Sequence, residues 1–168
     1  LVRYLRDSGG IVEQGGTWVL TRPMSDLPRD LPESVRSMIA RKIEQVDERD
    51  RGLLLAASVQ GPEFDSATVS EATEVDAAEV EERLDVLERV HVFVQRGDER
   101  EFPDLTLTLQ YQFVHVLYQN MLYASLQPTR RATLSGRVAR ALVARGEETP
   151  ANAARLAILF ESARDFTT

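Results

Sequence analysis

The residues of this sequence best suited to chemistry near neutral pH are its two histidines, His91 and His115. An imidazole can transfer a proton or bind a metal ion, but a metal site needs further ligands at short, regular spacing. The two histidines lie 24 residues apart, and no ligand pattern surrounds either one. Cysteine is absent, which excludes disulfides, thiolate catalysis and cysteine–zinc sites. The histidines therefore predict neither a metal centre nor a catalytic pair.

The motifs that carry catalysis or phosphate binding are missing from the sequence. There is no G-x-x-x-x-G-K-[ST] loop, no G-x-G-x-x-G fingerprint, no G-x-S-x-G elbow and no H-E-x-x-H helix. Acidic pairs are frequent, but they fall on helical faces, where charged runs are usually solvated. We therefore expect this stretch of chain to have no enzyme activity, no catalytic residue and no cofactor or metal of its own.

His115 lies where one periodicity replaces another. Before it, apolar and polar residues alternate strictly, which predicts a strand with one buried face. The apolar members of that strand are Leu105, Leu107, Leu109, Tyr111 and Phe113. After it, apolar residues recur at helical spacing, which predicts a helix. The members of that helical face are Val114, Leu117, Tyr118, Met121, Leu122 and Leu126.

The predicted elements before this junction follow a recognisable order. A helix is predicted from Pro32 to about Val46, with an apolar stripe that includes Met38. Asp47 and Asp76 stand where helix caps are expected. The remaining elements are helices at 48–60, 66–72 and 77–90, a strand at 91–95, an exposed charged turn at 96–104 and the strand at 105–113. Helix, turn, helix and hairpin in this order predict a winged helix.

Two further helices are predicted after the one that begins at the junction. Pro128 begins one that ends near Arg145-Gly146, and Pro150 begins the last. The last has a face of small residues, suited to close packing, formed by Ala151, Ala154, Ala157 and Ile158. Together they look like a tetratricopeptide-like α-hairpin. The predicted fold class is thus mainly α with a small β-hairpin wing, as a winged-helix domain at 32–126 followed by helical repeats at 127–168.

The first 31 residues predict a different unit. Residues 1–7 read as the end of a helix, and Gln14-Gly15-Gly16 separates two short strand-like runs, which predicts a β-hairpin. Residues 21–32 contain three prolines and predict a linker. The chain lacks a starting Met and a signal peptide, so we expect it to be part of a longer protein. No transmembrane run is present, and with the absence of cysteine this leads us to expect a cytoplasmic protein.

Charge decides against nucleic acid as the partner of the helix at 77–90. This helix and its cap carry six acidic and two basic side chains, and the turn at 96–104 is also acidic. Binding to DNA needs cations at the contact. A winged helix that binds DNA therefore stays an alternative, and a helical adaptor for a protein partner is a third possibility. The sequence has one basic patch, formed by Arg130, Arg131, Arg137 and Arg140.

Several stretches together resemble one family. In order and spacing they look like the region that follows the nucleotide-binding core in bacterial STAND-class signal-transduction ATPases, which are AAA-like regulators that include transcriptional regulators. The stretches are Leu31-Pro32-Glu33-Ser34-Val35-Arg36, Ile39-Ala40-Arg41-Lys42-Ile43, Leu54-Leu55-Ala56-Ala57-Ser58-Val59-Gln60-Gly61 with Phe64, Tyr111-Gln112-Phe113-Val114-His115, and Tyr123-Ala124-Ser125-Leu126 with Pro128 and Arg131.

The resemblance implies a role for each part. Residues 1–31 would hold the end of the ATPase lid, the hairpin and a linker; the partners would be the upstream ATPase core and the downstream repeat array of the same chain, with no membrane contact. In related proteins a histidine at the strand-to-helix junction contacts the phosphate of the nucleotide, and His115 matches that place. The intact protein would then bind ATP and ADP. Two positions differ from many relatives: Val116 replaces an aspartate and Asn120 a glutamate.

The same junction admits a simpler role for His115. A helix N-terminus has free N–H groups and a partial positive charge, which favour a phosphate, and an imidazole can add a donor. Equally, the imidazole could cap the helix itself or bind carbonyl groups of the strand. The sequence leaves both roles open.

Overall fold

The structure is a computed structural model, and it describes residues 11–14, 17–20 and 32–164. Strands β1 (Ile11–Gln14) and β2 (Thr17–Leu20) pair antiparallel, with Ile11 opposite Leu20. The predicted β-hairpin is therefore confirmed. The helix predicted at 1–7 and most of the linker predicted at 21–32 lie outside the described residues.

Helix α1 (Glu33–Glu44) begins one residue later than predicted. Pro32 is its N-cap, where the ring's fixed φ of −52° still suits the entry into the helix. Ile39 is buried, but Met38 of the predicted stripe is exposed. Helix α2 (Glu48–Gln60) is capped by Asp47, whose carboxylate accepts hydrogen bonds from the backbone of Arg49 and Asp50. The apolar run from Leu53 to Ala57 is buried as predicted.

Strand β3 (Glu63–Asp65) leads into helix α3 (Ser66–Thr73), and helix α4 (Ala77–Arg89) follows. Both helices lie within one residue of their predicted bounds. Asp65 and Asp76 cap α3 and α4 through hydrogen bonds to backbone N–H groups in the first turn. On α4, Val80, Leu84 and Leu87 are fully buried. Val90 was expected on the same face but is exposed, because it lies one helical turn after Val86, on the exposed side of the helix end.

Strands β4 (Val94–Glu101) and β5 (Leu107–Phe113) complete an antiparallel sheet with the order β3-β5-β4. The prediction of a strand at 91–95 and a charged turn at 96–104 was wrong. The charged residues from Arg96 to Glu101 belong to β4, with an irregularity in register between Arg96 and Glu99. Only Val94 at the start of β4 is buried; the side chains after it face solvent on both sides of the strand and therefore need not alternate.

The alternating pattern at 105–113 predicts the buried face of β5 correctly only in the second half of the strand. Tyr111 and Phe113 are buried, but Leu105 and Leu107 are exposed. Thr108, on the face predicted to be polar, is instead 3% exposed. The reason is chemical: its hydroxyl joins a buried hydrogen-bond network at the start of α3.

Three helices follow the sheet: α5 (Val116–Ser125), α6 (Pro128–Ala144) and α7 (Ala153–Arg164). Pro128 begins α6 as predicted, and Gly146 ends it with a φ of +76°. The predicted buried face of α7 was wrong. Its small residues and Ile158 are exposed, and Leu156 and Leu159 are buried instead, because α7 packs along α6 on that side.

The main core joins α2, α3, α4, the sheet and the helices that follow. Its largest fully buried side chains include Leu53, Leu54, Leu84, Phe93 and Leu122. The fold is therefore mainly helical with a small antiparallel sheet, as the sequence predicted at this level. None of the described helices has the length and apolar character needed to cross a membrane.

Candidate functional site at the His115 junction

His115 is the N-cap of α5. Its backbone is extended, with φ −140° and ψ 130°, so the chain leaves β5 and enters the helix at this residue. The ring nitrogen Nδ1 accepts a hydrogen bond from the backbone N–H of Leu117 at 3.2 Å. Of the two roles left open by the sequence, capping of the helix is the one that the contacts display. Histidine is an unusual cap, since serine, asparagine and aspartate are preferred at this position.

The environment of His115 favours the neutral imidazole. Burial lowers the pKa of His115 below its ordinary value, because a half-buried cation loses hydration. Protonation would also turn Nδ1 into a donor and remove the cap. Since Nδ1 accepts, the proton of the neutral ring is assigned to Nε2. Nε2 has no hydrogen-bond partner among residues 32–163, so it is a donor able to serve an acceptor from outside this part of the chain.

Tyr118, one turn into α5, connects His115 to other polar residues. The His115 and Tyr118 rings are 6.4 Å apart and nearly perpendicular. The Tyr118 hydroxyl accepts a hydrogen bond from Lys42 Nζ on α1 at 3.0 Å. The ammonium lies 4.8 Å from the centre of the Tyr118 ring and 4.9 Å from that of Phe93. Lys42 therefore ties α1 to the junction through one hydrogen bond and two cation–π contacts.

The tertiary structure brings both histidines to the same aromatic pair. Phe93 and Tyr118 pack edge to face with ring centres 4.9 Å apart. His91 lies 6.3 Å from Phe93 on one side, as His115 lies near Tyr118. The cluster of His91, His115, Lys42, Phe93 and Tyr118 can offer cationic and neutral N–H donors to an anion. It contains no carboxylate or thiol that could act as a nucleophile.

Sequence reasoning did not identify Lys42 as part of this cluster, although a signal was present. It is the single lysine beside nineteen arginines. A composition bias explains the arginines but not the exception. The compact ammonium of lysine can rest over two rings while donating to a hydroxyl, whereas the planar guanidinium of arginine has a different shape.

The β4–β5 hairpin is held against the helices that follow it. Phe102 at its tip is buried, and the guanidinium groups of Arg100 and Arg145 lie 5.2 and 5.5 Å from its ring centre. The buried carboxylate of Glu147, after α6, binds Arg100 on β4 through one oxygen and accepts from Asn152 through the other. The hairpin and the α6–α7 unit therefore form one packed structure.

The arginines of the acidic helix α4 are already paired. Arg83 donates to Asp50 at 2.7 Å and to Glu79 at 2.9 Å, and these hydrogen bonds raise the pKa of Arg83. Arg89 pairs with Asp85. Little positive charge is left on this helix for a phosphate backbone.

The predicted basic patch on α6 is also partly used within the chain. Arg137 donates to the carbonyl of Ala72 at 3.1 Å and pairs with Glu74. Arg131 donates to the carbonyl of Leu126 at 3.3 Å and lies over the ring of Tyr123. These two residues fasten α6 to α3 and α5, so their positive charge has a structural use.

Comparisons with family models, with curated proteins and with solved structures gave no match. Within residues 32–164, no group of three or more His, Asp or Glu side chains is arranged to hold a metal ion.

Proposed function

We propose that this chain is a non-catalytic regulatory module of a multidomain, cytoplasmic signal-transduction ATPase. It would couple the nucleotide state of an upstream ATPase core to a downstream helical array. The order α2–β3–α3–α4–β4–β5 and the strand order β3-β5-β4 support a winged helix at 32–126. The packed pair α6–α7 supports a tetratricopeptide-like unit after it.

The observation that carries this proposal is the attachment of the β4–β5 hairpin to the α6–α7 unit. Phe102 and Arg100 of the hairpin contact Arg145 and Glu147, which follow α6, through a cation–π contact and an ion pair. A displacement of the hairpin would therefore be transmitted to the α6–α7 unit, as a regulatory connector requires. A hairpin held in this way is less suited to enter a DNA groove.

Within the proposal, His115 contacts the phosphate of ADP in the intact protein. The neutral ring with Nε2–H as donor supports this role, and the positive end of the α5 helix dipole adds to it. Lys42 belongs to the same cluster because its ammonium donates a hydrogen bond to the Tyr118 hydroxyl. ATP and ADP would be bound chiefly by the ATPase core, so the isolated chain should neither hydrolyse ATP nor retain ADP.

The order of elements also supports a second candidate function, a winged-helix regulator that binds DNA. The acidic surface of α4 and the internal pairing of Arg83 and Arg89 argue against DNA binding. A helical adaptor for a protein partner is the remaining alternative.

Substitutions at His115 in the protein that includes the ATPase core test the phosphate contact. His115→Asn keeps a side-chain acceptor for the cap but lacks the imidazole, so it should preserve stability and release ADP faster. His115→Ala should lose both, with about 1 kcal/mol less stability. His91→Ala is the matched control, since His91 shares the aromatic pair without capping a helix. Unchanged ADP release in His115→Asn would leave His115 with the capping role alone.

A further inference from the structure

Four valines at the end of α4 form an exposed apolar surface. Val86, Val90, Val92 and Val114 are 45%, 68%, 51% and 47% exposed. Val86 and Val90 are one helical turn apart on α4 and its cap. Val114 joins them because its N–H binds the carbonyl of Phe93, next to Val92, at 3.0 Å. Single exposed apolar residues are ordinary, but four at one corner of the fold form a patch. We call them the valine patch.

Val92 has a strained backbone conformation, and its side chain is exposed to solvent. Its φ is +52°, in the left-handed region. A β-branched residue is a true outlier there, whereas glycine adopts the same conformation without steric cost. The turn buries the next residue, Phe93, completely and leaves Val92 exposed. Strained residues of this kind cluster at functional sites, and Val92 is the one that lies within the valine patch.

Next to the valine patch lies an acidic groove. It has a volume of about 680 Å³ and is lined by Asp50, Asp76, Glu79, Glu82 and one arginine, with Val86 at its edge. That arginine, Arg83, is held by Asp50 and Glu79. The Glu82 side chain is exposed, and its carboxylate makes no hydrogen bond or ion pair with another residue between 32 and 163. The groove therefore keeps a net negative charge beside an apolar surface.

We propose that the valine patch and this groove dock a positively charged amphipathic helix of a partner protein. An apolar stripe on that helix would cover the valines, and arginine or lysine side chains on its flank would reach Glu82 and Asp76. This is the helix-in-groove mode of recognition. The charges would raise the association rate and reject acidic partners, while the apolar contact would supply most of the affinity. The proposal does not depend on a nucleotide or on the role of His115.

The probe is a fluorescein-labelled leucine–arginine peptide of about 18 residues, with leucines at helical spacing. A scrambled peptide of the same composition has the same charge but no apolar stripe. Fluorescence anisotropy with the whole 168-residue chain at about 150 mM salt measures Kd. We expect the amphipathic peptide to bind at least about tenfold more tightly than the scrambled one.

Substitutions on the surface locate the site. The double variant Val86→Ser with Val90→Ser should raise Kd by about tenfold or more. Glu82→Gln should raise Kd by about threefold and reduce its dependence on salt. Met38→Ser and Glu44→Gln change an exposed apolar and an exposed acidic residue on α1, and both should bind as the wild type does.

Val92→Gly separates binding from folding. Relief of the strain should raise Tm by about 2–4 °C while Kd rises, since the side chain is lost. Leu105 is the matched control, because it is also exposed and has a φ of +70° at the other end of β4. Leu105→Gly should raise Tm to a similar extent and leave Kd unchanged.

Several outcomes would overturn the proposal. These are no binding of the amphipathic peptide, equal binding of the scrambled peptide, or an unchanged Kd in the Val86 and Val90 double variant. Sedimentation provides a further check. If the wild type is a dimer and the double variant a monomer, the occupant of the patch is a second copy of this chain rather than a basic helix.

Discussion

The hydroxyl oxygens of Thr108 and Ser66 lie 3.2 Å apart in the buried layer between β5 and the first turn of α3. Ser66 also donates to Glu81 of α4 at 2.8 Å. Thr108 accepts from the N–H of Ala67 at 3.0 Å and lies 3.3 Å from the carboxylate of Asp65. Burial raises the pKa of Asp65, so this carboxylate depends on its donors. One small polar network thus joins β3, β5, α3 and α4.

Removal of the Thr108 hydroxyl should therefore weaken the whole fold. Thr108→Val keeps the shape of the side chain but leaves the N–H of Ala67 without its buried acceptor. We expect the free energy of unfolding to fall by about 2 kcal/mol, as for other unsatisfied buried donors. Urea denaturation measures it. Thr129→Val, at an exposed position on α6, is the control and should change stability by less than about 0.5 kcal/mol.

The buried carboxylate of Glu147 should hold the β4–β5 hairpin to the following helices. Glu147→Gln keeps its size but removes the charge that binds Arg100. We expect a loss of about 1–2 kcal/mol, with faster amide hydrogen exchange in β4. The exposed neighbour Glu148, changed to Gln, is the matched control. Unchanged exchange in β4 would show that Phe102 alone holds the hairpin.

The lowered pKa of His115 predicts how stability depends on pH. The unfolded chain takes up a proton near pH 6.5, before the folded chain does. Stability should therefore be full above that pH and fall as the pH drops through 6.5 toward the lower folded pKa. Asparagine at this position caps α5 without titrating. His115→Asn should reduce the difference in unfolding free energy between about pH 7.5 and pH 5.5, and equal differences in both proteins would contradict the prediction.

The acidic surface of α4 predicts weak contact with DNA. We expect anisotropy with a mixed-sequence duplex to give a Kd no tighter than the range of about 10⁻⁴–10⁻⁶ M typical of non-specific binding. A double variant, Glu79→Arg with Glu82→Arg, should bind more tightly because it reverses two charges on the exposed face. Tight binding by the wild type that weakens steeply with salt would contradict the role assigned to these acids and favour the DNA-binding alternative.

The sequence predicted most helices correctly because their limits depend on nearby residues. Asp47 and Asp76 cap the helices that follow them, and Pro128 and Gly146 mark the ends of α6. These signals act within one turn of the chain. The β5-to-α5 junction at His115 was also predictable, because the apolar spacing changes there from two to about 3.6 residues. His115 as a candidate followed from its position and from resemblance, whereas the contacts of Lys42 were not predicted from the sequence.

The burial of the faces depended on neighbours that are distant in sequence. Thr108 is buried because Ser66 and Asp65 complete its hydrogen bonds, and β4 carries charged residues because its side chains after Val94 are left exposed. The outward face of α7 is set by α6, which covers Leu156 and Leu159. The spacing of apolar residues and the helix-capping residues thus determined where the helices form and which stretch joins strand β5 to helix α5. The tertiary structure decided which faces are covered, since burial needs a partner surface that local spacing cannot specify. It also decided that Lys42, His91 and His115 meet around Phe93 and Tyr118 and that four valines remain exposed beside an acidic groove.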